Sequence, residues 1–128
     1  RIHFTGMISE AELPSYFQAC DVFCLPAVNQ AEAFGIVQVE AMACAKPVVS
    51  TRLNNGVDFV NQDGVSGYTV TPGSVDELAQ ALQRLLADEA LRTRLVHQAL
   101  QRAQAEFSLP ALRSKTLAVY QLAAGRAE

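Results

Sequence analysis

The chain has 128 residues, half of them hydrophobic, and a formal net charge of −3. That is enough apolar material for a core of its own and too little charge for disorder. The acidic balance argues against a nucleic-acid surface, no apolar run approaches the roughly 20 residues of a membrane span, and no signal-peptide pattern opens the chain.

Residues 2–5 read as a short buried strand that turns at Gly6. Ser9 then serves as an N-cap and Glu12, three residues on, completes a capping box for a helix over about 10–20. Leu13, Phe17 and Cys20 share one face of that helix, and Pro14 falls early, where proline is tolerated. Residues 22–25 form a continuous apolar run between Asp21 and Pro26, which predicts a strand covered on both faces. A loop over 27–33, a helix over 34–45 and a strand over 47–50 then complete a βαβ unit. Its strands should be parallel and its crossover right-handed, with ligands at the carboxyl ends of the strands.

Beyond Thr51, turns are expected at Asn54-Asn55-Gly56, Asp63-Gly64 and Ser66-Gly67. Residues 57–60 fit a helical turn or a short strand equally well, and 68–70 read as a strand closing at Pro72-Gly73. The last third is helical. Ser74 with Glu77 opens a helix whose inner face is Leu78, Ala81, Leu82 and Leu85. Asp88 or its neighbour opens a second, running to about Phe107 with Leu91, Leu95 and Ala99 on one side. Ser108 caps a third, with Leu112, Leu117 and Tyr120 inward. No repeat, low-complexity segment or linker interrupts this order. Cys20, Cys24 and Cys44 are odd in number and sit in apolar segments, which speaks for reduced thiols in a cytosolic setting and against zinc or a disulfide framework.

The stretch that carries chemistry runs from Glu32 to Pro47, EAFGIVQVEAMACAKP. Gly35 lets the backbone approach a ligand closely, and the amides that follow are unsatisfied helix N-terminal donors that attract phosphates. Glu40 lies about five residues on, roughly 7–8 Å along the axis, where a carboxylate can take a pair of hydroxyls. From Ile36 to Ala45 only Gln38 and Glu40 are polar, and two residues apart on a helix is about 200° around it, so at least one of them faces a pocket or a packed neighbour.

Glu32, followed by Phe34-Gly35 and by Glu40 eight positions later, resembles the E-x7-E signature of the retaining GT-B glycosyltransferases of glycosyltransferase family 4. Ala19-Cys-Asp-Val-Phe-Cys-Leu-Pro26 is similar to the family's "ADVFVLPS", Glu40-Ala-Met-Ala followed by Lys46-Pro-Val-Val49 to its "EAMACGKPVV", and a stretch within residues 61–70 to its "DGVTGLLV". Four blocks in order make the likeness specific, and it covers the chain from about Ile2 to Tyr120.

The resemblance implies an α/β, Rossmann-like parallel sheet with flanking helices, the C-terminal half of a GT-B fold truncated at its N-terminus, with residues 1–128 forming one partial nucleotide-sugar-binding domain. It implies transfer of a sugar, with retention, from a nucleoside diphosphate sugar to an acceptor hydroxyl on a glycan or lipid-linked acceptor. Glu32 would stand near the anomeric carbon and stabilise a developing oxocarbenium ion. Glu40 would hold the ribose hydroxyls; the amides of Phe34 and Gly35 would serve sugar hydroxyls and phosphate, those of Ile36 and Val37 the diphosphate, and Gly6 and Met7 would pass the nucleobase. Neither His3 nor His97 matches the family's histidine, which lies in its N-terminal domain. No cofactor or metal is expected, in keeping with the lack of an Asp-x-Asp motif. Residues 1–70 hold seven acids and three bases, so the positive charge a diphosphate needs is expected upstream, where the family has a basic pair. The fragment alone is therefore expected to be inactive. In the family the final helix crosses back to the N-terminal domain, so the last helix here should expose apolar surface. The family context is polysaccharide biosynthesis in the cytoplasm or at the inner membrane face. Two other classes stay open, a GT-B-like sugar-nucleotide epimerase and a non-catalytic binding domain.

Overall fold

The computed structural model describes residues 1–125. In chain order its elements are α1 (Leu13–Ala19), β1 (Phe23–Leu25), α2 (Ile36–Ala43), β2 (Val48–Thr51), α3 (Gly56–Val60), β3 (Gly67–Val70), α4 (Val75–Ala87), α5 (Glu89–Phe107) and α6 (Leu109–Ala123). The three strands form one parallel sheet in the order β1-β2-β3, with Val48 opposite Phe23 on one side and Gly67 on the other.

Central strand β2 is buried at every position, as an all-apolar start between two parallel neighbours requires. Its alternation divides the core. Val48 packs with Phe17, Met42, Val60 and Ala99, and Val49 packs on the other face with Val70, Leu85 and Leu95. Helix α5 reaches both clusters, with Ala99 and Ala103 in the first and Leu95 in the second. A buried polar knot crosses β2. The Asn61 Nδ2 donates to Ser50 Oγ (2.9 Å) and to the Tyr68 carbonyl (3.0 Å), and its Oδ1 accepts from Ser66 Oγ (3.0 Å). Glycine is needed at 67, because a Cβ there would stand 1.8 Å from the Val48 carbonyl oxygen.

The cap signals place the helices well. Ser74 Oγ accepts from the Glu77 N–H at the start of α4, Asp88 from Leu91 N–H at α5, and Ser108 from Ala111 N–H at α6. The Glu77 carboxylate turns to the Thr71 N–H (2.8 Å), and this bond holds its pKa below the usual carboxylate value. The undecided segment 57–60 is helix α3, capped by Asn55, whose side chain accepts from the Val57 N–H.

Four expectations change. Residues 2–5 form no strand; Ile2 and Phe4 are 84% and 96% exposed, and none of the described strands pairs with them, so an extended run there gains neither ladder bonds nor burial. Helix α1 starts at Leu13, because Glu12 folds its carboxylate back to the Ser9 N–H and hydroxyl, closing a turn over 10–12 first. Strand β1 is half-buried, since it pairs on one side only among the described residues. Leu112, Leu117 and Tyr120 on α6 face solvent, each more than half exposed, and no residue of α6 is buried. The expected apolar exposure of this helix is therefore present.

Candidate functional site

The site is the loop that leaves the carboxyl end of β1 and enters α2 at Gly35. Two independent demands fix glycine at that position. Its φ of 70° is left-handed, and a Cβ would lie 2.6 Å from Gln38 Nε2 and 2.7 Å from Leu25 Cδ2. The Glu32 carboxylate folds back over the turn, its Oε1 accepting from the Gly35 N–H at 2.8 Å and from the Phe34 N–H at 3.4 Å. The next two amides, of Ile36 and Val37, find no acceptor among the described residues, while Gln38 N–H closes on the Gly35 carbonyl at 2.9 Å. The start of α2 thus offers two free donors at the positive end of the helix and two more held by a carboxylate.

The loop is braced from the next strand's connection. Asn55 Nδ2 donates to the Glu32 carbonyl at 2.8 Å while Asn55 Oδ1 caps α3, so one side chain links both. Gly56 lies so close that a Cβ would meet the Ala33 carbonyl at 2.5 Å and the Phe34 ring at 2.9 Å. The Asp58 carboxylate accepts from the Leu53 and Asn54 amides and holds that connection in shape. The Phe34 ring packs edge-on against Phe107 (centroids 6.1 Å apart), and Phe107 packs against Phe59. The Arg102 guanidinium covers Phe59 and Phe107 and donates to the carbonyls of Val60 and Phe59. These contacts make the Phe34 side chain a packing group, and its amide is what the loop presents.

Of the two polar residues on α2, Gln38 is the fully buried one and Glu40 is half-buried. Glu32, Phe34, Gly35, Ile36 and Val37 are brought together at the helix start, with Glu40 a turn further along α2. Gly6 and Met7 lie on the exposed segment before α1, with no hydrogen bond to the loop among the described residues. Arg52 donates across β3 to the Thr69 carbonyl and hydroxyl, away from the loop. The Lys46 ammonium closes the last turn of α1 through the Gln18 carbonyl (2.8 Å), and His3 and His97 are exposed. Burial pushes the Cys20 and Cys24 thiols up, which disfavours thiolate chemistry at either. No group of three or more His, Cys, Asp or Glu residues is placed to hold a metal among the described residues, and no described helix is long and apolar enough to cross a membrane.

Sequence reasoning named Gln38, Asn55 and Gly56 without assigning them to the site. The 200° argument reached the pair Gln38/Glu40, and Asn55 stood in a recognised turn two residues before Val57, where an N-cap belongs. The three strand ends also frame an apolar recess of about 120 Å³ lined by Pro26, Thr51, Val70, Val75 and Leu78. Ligand clefts start at about 300 Å³, so this recess is not the site itself.

An open parallel α/β sheet with a glycine-entered helix and flanking carboxylates at a strand's carboxyl end defines a class of Rossmann-like ligand-binding domain. The sequence profile described as "Glycosyl transferases group 1" matches residues 1–102. The chain belongs to that family. It is 34% identical over 125 residues to the MMP alpha-(1->4)-mannosyltransferase of Mycolicibacterium hassiacum, a match covering 98% of this chain and 30% of that protein. It is 40% identical over 95 residues to the phosphatidyl-myo-inositol mannosyltransferase of Mycobacterium leprae, covering 74% of this chain and 25% of that one. Among solved structures, sucrose-phosphate synthase from Thermosynechococcus elongatus superposes with a TM-score of 0.83 at 35% identity, over 97% of this chain and 31% of the other. Anabaena HepE in complex with UDP and glucose superposes with a TM-score of 0.83 at 27% identity, over 94% and 32%. The chain spans between 25% and 32% of the length of these relatives, and its fold is the Rossmann-like C-terminal part of GT-B enzymes.

Proposed function

We propose that the chain is the donor-binding part, a partial C-terminal domain, of a retaining glycosyltransferase that moves a sugar from a nucleoside diphosphate sugar to an acceptor hydroxyl. The observation that carries this reading is the start of α2, where four backbone amides and the Glu32 carboxylate converge beside a left-handed glycine. The free amides of Ile36 and Val37 take the diphosphate, whose charge the helix end complements. The Glu32 carboxylate leaves the Phe34 and Gly35 amides to sugar hydroxyls and phosphate, and turns its own charge towards the anomeric carbon, where it stabilises a developing oxocarbenium ion. Glu40 accepts from the ribose hydroxyls, and Gly6 and Met7 close on the base. No metal takes part. The acceptor, a glycan or a lipid-linked one, is held by chain beyond these residues, and the reaction belongs to the cytosol. The family membership and the relatives solved with UDP and UDP-glucose support this reading.

Calorimetric titration of UDP, GDP and ADP at low salt into the full-length protein tests it. One of them should bind with the same affinity in EDTA, and Glu40→Ala should weaken that binding by about tenfold or more, the loss of a hydrogen-bonded charge. In the full-length enzyme Glu32→Ala should act mainly on turnover, read as kcat for sugar transfer. Binding that ignores Glu40, or that needs a divalent ion, overturns the assignment.

A further inference from the structure

Gln38 stands in an otherwise apolar helix, 0% exposed, with its carboxamide in the space that a Cβ on Gly35 would occupy. Its Nε2 donates to the carbonyl of Phe34 at 3.4 Å and to that of Val57 at 3.5 Å, one in the loop and one in α3. Its Oε1 is buried and has no partner among the described residues. The opposite orientation of the amide would set that oxygen against two carbonyl oxygens, so the assignment of the donor is fixed by its surroundings. A half-satisfied buried amide is a poor packing choice compared with an apolar side chain of the same shape. Its geometry gives it another role. The Phe34 carbonyl and the Gly35 N–H belong to one peptide plane: Gln38 holds the carbonyl end and Glu32 holds the N–H end. When a ligand draws Glu32 away, Gln38 is the side chain still gripping that plane.

We infer that Gln38 is a positioning residue, which keeps the Phe34–Gly35 peptide turned so that the Gly35 N–H remains aimed at the ligand after Glu32 releases it. The inference rests on the donor-site reading for its functional half only. Gln38→Met and Gln38→Leu remove both donated bonds and the orphan oxygen while keeping most of the volume. The measurements are thermal unfolding, amide hydrogen exchange at Gly35, and titration with whichever of UDP, GDP and ADP the wild-type protein binds.

The expected result is an unfolding temperature unchanged or raised, together with a fall in Gly35 protection of about tenfold and a fall in nucleotide affinity of about fivefold. Protection and affinity within about twofold of wild type overturn the inference. So does a drop in unfolding temperature that accompanies the loss of protection, or failure of both variants to fold, because Gln38 is then a packing residue alone. If the wild-type protein binds none of the three nucleotides, the donor-site reading fails, and the exchange measurement by itself decides whether Gln38 holds the peptide.

Discussion

Helices α2 and α6 are both rich in apolar residues, yet they end up in opposite surroundings. The eight residues of α2 lie between the sheet and α5 and bury Gln38, Ala41 and Met42; the fifteen residues of α6 bury none. Each is announced by a local signal, Gly35 before Ile36 and the Ser108 cap with Pro110 in the first turn of α6. Local signals make a helix, and only a neighbour makes a face of it into core.

The contrast can be broken or sharpened by substitution. Met42→Ala empties a fully buried site in the α2 cluster and should cost about 3 kcal/mol, measured by urea unfolding. Gly35→Ala forces a left-handed alanine against Gln38 and Leu25 and should cost about 2 kcal/mol in the same assay, with loss of nucleotide binding. Leu117→Ala on α6 should change stability by less than about 0.5 kcal/mol, because Leu117 is already more than half exposed. A loss as large as that of Met42→Ala would show that α6 is packed in solution.

The smallest effect concerns the tie between α5 and α6. The Lys115 ammonium donates to the exposed Glu106 carboxylate and holds its pKa below the ordinary carboxylate value. A carboxylate with a depressed folded pKa lends stability above its unfolded pKa and loses it as pH falls through the folded one. Acidification through that range should loosen the start of α6 with little change in the core, and an NMR titration of Glu106 with and without Lys115→Met would read it. An unshifted midpoint in wild type would break the tie.

Much of this was legible beforehand, for reasons that differ by residue. The start of α2 at Gly35 follows from a single glycine before an apolar run, and the caps Ser74, Asp88 and Ser108 follow from side chains that satisfy amides a few residues away. These are short-range facts. The angle between Gln38 and Glu40 was equally readable, but which of them is buried depends on the distant Leu25 and Val57. Among the described residues, 2–5 carry the composition of a strand and find no partner, and Leu112, Leu117 and Tyr120 have the spacing of an inner face and remain exposed. That Glu32 would occupy the Gly35 amide could not be read at all, since it depends on a left-handed turn that brings residue 32 back over residue 35.

That fold-back has a consequence for every anion that approaches the turn. Only the Ile36 and Val37 amides are bare donors at rest; those of Phe34 and Gly35 already hold a tethered carboxylate, whose effective concentration cannot be diluted away. An anion that takes the Phe34 and Gly35 amides must displace an intramolecular competitor, and a simple ion that does nothing for the displaced carboxylate gains little there. A ligand that carries hydroxyls beside its phosphates gives Glu32 somewhere to go. The turn therefore discriminates by exchange, favouring molecules that bring a replacement partner for the group they evict.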